Sequence, residues 1–345
     1  MLAVAAPAAA QPSALRLPPG FRADIVATGL AGPRALVFDH GGTLLASLSR
    51  EGRVVAVRGR VVTVADQLDR PHGLAFRDRH LYVAETGRIV RLRYDARTLA
   101  ARNAVPIVRD LPHGGHHWTR SLAFGPDGRL YVAIGSSCDV CRERDPRRAT
   151  IMRYSADGTN ARIFAAGLRN PVGLAFDPRD GVLWTTINER DWRAGGAPPD
   201  YVTSVAEGAS YGWPSCFAAG GVFARDPELR DPGDCREMTL PTVELPPHSA
   251  PLGLTFYMGR QFPAEYRGDL FVALHGSRPG LPAVGHKIVR VRRAAAPPRV
   301  EDFATGFHEG DRVLGRPVDV VVGPDGALYV SDDHAGVIYR IHFAP

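Results

Sequence analysis

The chain is expected to be all-β, a six-bladed β-propeller, and three observations lead there. One short unit recurs six times along the 345 residues: an apolar tetrapeptide, a Gly/Asp/Pro turn, then a second apolar strand. The aromatic or valine ends of the tetrapeptides fall at 38, 76, 124, 176, 256 and 322, giving intervals of 38, 48, 52, 80 and 66 residues. Roughly 40–50 residues make one four-stranded blade, so the last intervals carry insertions. Closing the units into a ring leaves only short strand edges unpaired, whereas an open stack of hairpins leaves two long ones. A two-sheet sandwich is the alternative.

Residues 1–17 open with an Ala-rich apolar stretch that reaches Gln11-Pro12, like the end of a secretory signal peptide with cleavage near Ala8–Ala10. A disordered Ala-Pro leader is the other reading. Residues 18–345 are expected as one domain, and Phe21–Val26 can supply an outer strand to the last blade. The units follow as Ala35–Phe38, Gly73–Phe76, Ser121–Phe124, Gly173–Phe176, Gly253–Phe256 and Asp319–Val322. Their second strands read LLAS, LYVAE, LYVAIG, VLWTTINE, LFVALHG and ALYVSDD. Third strands such as Val54–Val57, Ile89–Leu92, Ile151–Tyr154, Ile288–Val291 and Ile338–Ile341 come after. The segment 188–245 is expected as a loop-rich insertion after the inner strands of the fourth blade.

Composition narrows the function. A formal charge of +6 is made almost entirely of arginine, scattered without a run of five like charges, which argues against nucleic-acid binding. No segment beyond the leader has about 18 uninterrupted apolar residues, so no membrane span is expected. Four cysteines favour an exported, oxidised protein with disulfides Cys138–Cys141 and Cys216–Cys235. The Cys138-x-x-Cys141 spacing also admits redox, haem or zinc readings. Arg142 in place of His argues against haem attachment, and the other pair lacks the C-x-x-C of a zinc ribbon.

Superimposing the six units locates the polar residues. Arg34, His72, His116–Arg120, Arg169–Asn170, His248 and Arg316 precede inner strands. Glu85, Asn188–Asp191, His275–Arg278 and Asp332–His334 end the strands that follow. Both sets belong to loops at one end of the axis, a mouth rimmed by Arg and His. Converging guanidinium forks suit a multiply anionic ligand, and imidazole adds a base. Acidic and carbonyl oxygens could add a cation.

The segments GGHHWTRSLAFGPDGRLYVAIGSS, GLRNPVGLAFDP, SYGWP, HSAPLGLTFY and GRPVDVVVGPDGALYVSDD resemble the soluble pyrroloquinoline quinone (PQQ)-dependent sugar dehydrogenases, with the sorbosone-dehydrogenase-like proteins as the nearest branch. The resemblance runs from Pro18 to the C-terminus. It implies oxidation of an aldose-like sugar or sugar aldehyde, with His117 as general base and His116 as the lesser candidate. It assigns Arg169 to charge on the quinone oxygen, and Asn170, Lys287, Arg278 and Arg316 to cofactor binding. His72 and Arg120 join that cofactor set by position. Calcium is implied on backbone carbonyls near Glu189 and Arg190. An external electron acceptor and a periplasmic or secreted location follow. The chain departs from the family pattern near Val318, where the second basic residue of a pair is replaced, in the second blade, where the family's Gln has no partner and His72 only lies nearby, and at Glu189-Arg190, where the family has Gly-Pro. Two competitors are a calcium-dependent lactone hydrolase using Glu85, Asn188, Asp332 and Asp333, and a non-enzymatic binding propeller.

Overall fold

The computed structural model describes residues 15–191, 196–229 and 233–345. The leader reading, including the cleavage site near Ala8–Ala10, lies outside the described residues up to residue 14. From Leu15 the chain is already packed: Arg16 bridges Thr305, and Leu15 and Leu17 lie against a core cluster.

Six four-stranded antiparallel sheets form the propeller. Blade one runs Pro33–Phe38, Leu44–Leu48, Arg53–Val57 and Val61–Ala65 from the axis outward. Blades two, three and five repeat that order, with inner strands Leu74–Arg77, Arg120–Phe124 and Pro251–Phe256. Blade six closes the ring: Pro317–Val322, Leu328–Asp332 and Val337–Phe343 are joined on the outside by Phe21–Ala27, with Phe21 opposite Phe343. The expected N-terminal outer strand is therefore present.

The segment 188–245 is only partly an excursion. It holds the third strand of blade four, Asp200–Val205, and the fourth, Val243–Leu245. Between them lies a hairpin of Cys216–Ala219 and Val222–Arg225. The sequence hides the third strand because Asp200, Thr203 and Ser204 break up the apolar run that marks the other copies.

The second strands of the blades are buried on both faces. Leu44–Leu48, Leu130–Ile134, Leu183–Ile187 and Leu270–Leu274 are buried at every position. Each is sandwiched between neighbouring blades, which is why these segments read as continuous apolar runs rather than alternating ones. Among the described residues the core is accordingly divided into six interblade clusters, plus an axial contact of Val172, Leu252 and Val318. The aromatic ends of the repeats seal these layers. Phe124 packs edge-on against Tyr82 of the preceding blade, Phe176 against Tyr131, and Phe38 against Tyr329.

At the axis the inner strands approach so closely that side chains are excluded. A Cβ on Gly73 would lie 2.6 Å from the Arg120 carbonyl oxygen, and one on Gly173 only 2.3 Å from that of Leu252. Inner strands of four blades begin at a proline and shift register within the next three residues, leaving backbone groups without ladder partners. Hydroxyls on three second strands satisfy them across the blade junctions. Ser47 accepts from the Ala35 N–H at 3.0 Å and donates to the His72 carbonyl at 2.7 Å. Thr186 links Gly173 N–H (2.8 Å) to the Leu252 carbonyl (2.6 Å), and Ser331 links Asp319 N–H (3.1 Å) to the Arg34 carbonyl (2.6 Å).

Thr186→Val keeps the shape of this buried side chain but strands one donor and one acceptor. It is expected to lower unfolding stability by about 3 kcal/mol, read from denaturant midpoints at unchanged slope. A loss below about 0.5 kcal/mol would show that the bridge is dispensable.

Candidate active site

The loops entering the inner strands and those leaving the second strands meet at one end of the axis, as the repeat alignment requires. They enclose two adjoining recesses of about 390 and 380 Å³. His116, His117, Asn170, Asn188 and Ala250 line both. The first recess continues over blades four and five, past Arg169, Glu189, Asp200, His248 and Arg278. The second lies over blades six, one and two, past Arg34, Arg50, Arg70, Trp118, His275 and Asp333. Below them a cavity of about 160 Å³ continues down the axis between the inner strands.

His117 stands at the junction. Its Nδ1 lies 2.9 Å from the Ser136 carbonyl oxygen and 3.0 Å from Ser136 Oγ. A carbonyl only accepts, so Nδ1 carries the proton and Nε2 is left with its lone pair. Burial, reinforced by the Arg169 charge, lowers the His117 pKa to about 3. Asn170 comes close because residue 135 is glycine: a Cβ there would lie 2.4 Å from Asn170 Oδ1 and 2.6 Å from His117 Cβ. Asn170 Oδ1 is buried without a hydrogen-bond partner among the described residues. A buried amide oxygen in that state calls for a donor from a ligand.

Arg169 is 4% exposed and heavily committed. It donates Nη1 to the carbonyls of Asn188 (3.0 Å) and Glu189 (2.7 Å), Nε to the Asp139 carbonyl (3.0 Å), and Nη2 to Asp139 Oδ1 (2.6 Å). Asp139 sits inside the short loop closed by the Cys138–Cys141 disulfide. Trp213 of the SYGWP segment donates Nε1 to its carbonyl at 3.2 Å. The second expected disulfide, Cys216–Cys235, is also formed, and no cysteine is free.

The Glu189-Arg190 segment behaves differently from the carbonyl pair expected of it. The Glu189 carbonyl already accepts from Arg169. Glu189 lines the first recess, and burial raises the pKa of its carboxyl to about 7. Asp200 beside it is raised to about 6, again by burial. The Arg190 side chain turns away to pair with Asp226 and, at 2.7 Å, with Glu228.

Several other cofactor candidates are engaged by protein groups. Arg120 is fully buried and donates to the His117, Thr119 and Pro112 carbonyls, so it props the loop that presents His117. His72 lines the axial cavity rather than either recess; burial and the neighbouring Arg34 lower its pKa to about 3. Arg316 donates to the carbonyls of His275, Gly276 and Ser277. Lys287 pairs with Asp302 on the outer strand of blade five, at 2.7 Å. Arg278 reaches the first recess and pairs with Asp191.

The lactone-hydrolase quartet does not converge. Glu85 pairs with Arg88, and Asp332 accepts from the Arg316, His334 and Ala335 N–H groups; only Asn188 and Asp333 line the recesses. The described residues hold one metal-like grouping, Cys138, Cys141 and Glu143, whose sulfurs are in the disulfide. Arg50, Arg70 and Asp139 escape the sequence reading. Arg70 stands one residue before the window aligned at Pro71-His72, and Asp139 is hidden between two cysteines.

Residues 79–340 match the family model for glucose/sorbosone dehydrogenases. An aldose sugar dehydrogenase of Escherichia coli K12 is 27% identical over 247 residues, covering 66% of this chain and 60% of that enzyme. A pyrroloquinoline quinone-dependent pyranose dehydrogenase of Coprinopsis cinerea is 27% identical over 430 residues, covering 98% of this chain; the chain spans 56% of that enzyme's length. The solved holo form of the Coprinopsis cinerea pyranose dehydrogenase PQQ domain shares the fold, with a TM-score of 0.77 at 24% identity, covering 97% of this chain and 99% of that one. Matched over most of its length, the chain belongs to the glucose/sorbosone dehydrogenase family.

Proposed function

We propose that the protein is a PQQ-dependent oxidoreductase that oxidises an aldose-like sugar or sugar aldehyde, with His117 as the general base. The observation that carries this is a neutral imidazole at the junction of two recesses, its Nδ1–H fixed by Ser136 and its Nε2 making no hydrogen bond to the described residues. A base poised in that form accepts a hydroxyl proton without first losing one of its own. Two recesses meeting at one base suit a reaction between two bound molecules held side by side.

The residues present fit a quinone bearing carboxylates in the first recess. Asn170 Oδ1, seated against Gly135, is an unpartnered acceptor there, and the guanidiniums of Arg169 and Arg278, paired with Asp139 and Asp191, lie in its wall. A volume of about 390 Å³ lies within the range of small-molecule sites. When bound, the quinone supplies a two-electron hydride acceptor for the sugar's carbinol carbon. His117 Nε2 takes the hydroxyl proton, Ser136 holds the ring's tautomer, and Arg169 keeps the Asn188–Glu189 turn in place. The donor set also suits calcium through the buried Glu189 carboxyl rather than through its carbonyl. Two formed disulfides support export to an oxidising compartment. No described helix is long and apolar enough to cross a membrane.

Titrating the apo-protein with PQQ, followed by absorption, is expected to show saturable uptake that Asn170→Asp weakens by roughly tenfold or more; no uptake by the wild type would end the proposal. His117→Ala should keep that uptake and lose roughly 10²–10⁴ in sugar-dependent dye reduction. Because the His117 pKa is lowered to about 3, the base form is present at every pH above that. The His117 limb of kcat/KM should therefore fall below about pH 5, and a limb centred near 6.5, the ordinary histidine value, that persists in Glu189→Gln would contradict the assignment, because the Glu189 carboxyl itself is raised to about 7. Calcium should raise the Tm of the wild type and leave that of Glu189→Gln unchanged.

A further inference from the structure

We propose that the second recess selects an aldose carrying an anionic group, a carboxylate or a phosphate, held by Arg50 and Arg70 beside the face of Trp118. This rests on the sugar-oxidising reading above and names the substrate class for it.

The charges of the recess do not cancel. Arg34 is neutralised by Asp333 at 2.6 Å, and the other oxygen of the same carboxylate lies 2.9 Å from His275 Nε2. Asp333 is the only carboxylate among the described residues lining the recess, and both its oxygens are engaged. Arg50 and Arg70 remain, and neither side chain makes an ion pair or a hydrogen bond to the described residues. Among the described residues the recess therefore presents two uncommitted guanidiniums and no uncommitted carboxylate. A neutral sugar, whose hydroxyls both donate and accept, leaves those donors underused; a carboxylate or phosphate offers only acceptors.

Both arginines are exposed at the rim of the recess, and each rests against a neighbour. Arg70 lies with its guanidinium carbon 4.0 Å from the Trp118 ring centroid, a stacking that leaves the N–H edge free for in-plane bonds to an oxyanion. Its backbone adopts φ +47°, a left-handed conformation uncommon for arginine and typical of sites where the surroundings impose it. Trp118 is fixed from another side by the His72 ring, edge-on at 5.7 Å. Arg50 packs along Gly32, where a Cβ would lie 3.0 Å from its Nε.

The test uses the full chain loaded with PQQ and calcium, assayed by dye reduction with D-glucose, D-glucuronate and D-glucose 6-phosphate. At least one anionic sugar should exceed glucose in kcat/KM, by roughly tenfold, and the excess should shrink at high ionic strength. Arg50→Ala and Arg70→Ala should each reduce the anionic-to-neutral ratio through KM. Whichever anion wins identifies the source as carboxylate or phosphate. Glucose equal to or better than both, or a ratio unchanged in both variants, would overturn the inference while leaving the sugar-oxidising reading intact. Should no sugar be turned over, calorimetry on the apo-protein decides separately: binding of an anionic sugar that the variants lose supports the recess assignment, and its absence refutes it.

Discussion

Six inner strands converge on one axis, and the crowding there governs the rest of the molecule. Where two strands approach within contact of a neighbour's carbonyl, only glycine or a small residue fits, as at Gly73 and Gly173. The register shifts that this convergence requires leave backbone groups unpaired, and Ser47, Thr186 and Ser331 return them to the network across blade junctions. Each of these bridges ties one blade to the next at its inner edge. The loops that continue from those edges inherit a fixed radius and height, which is the reason six distant stretches of chain can build one mouth.

The same economy of space organises the site. Gly135 lets His117 and Asn170 share a floor, and a methyl group there would part them. Arg120 and Arg169 are buried among carbonyls and so act as rigid struts beneath and beside the imidazole. Their charge, added to burial, keeps His117 neutral, so the scaffold sets the chemistry of the base as well as its position. The Cys138–Cys141 loop extends this support by presenting Asp139 to Arg169.

Much of this was legible in the chain, because repeats expose equivalent positions. The unit count and the gathering of His117, Arg169 and Asn170 at one end follow from aligning six copies, the outer strand from the need to complete the last blade, and both disulfides from the even number and pairing of the cysteines. Other positions have partners that the sequence does not reveal. Arg120, Arg316 and Lys287 have the charge expected of cofactor ligands, and their partners in the structure are backbone carbonyls and Asp302. A sequence shows which groups can donate, not which acceptors reach them first.

From the order of residues alone the fold class follows, since the period of apolar tetrapeptides and turns favours ring closure, which leaves only short strand edges unpaired. The same period dictates which loops face one another across the axis. Which side chains in those loops stay available was settled by packing in three dimensions, because it depends on burial and on competition among neighbouring donors and acceptors. Arg169 is drawn into the scaffold while Arg50 and Arg70 are left facing the second recess, an outcome set by distances that no spacing along the chain encodes.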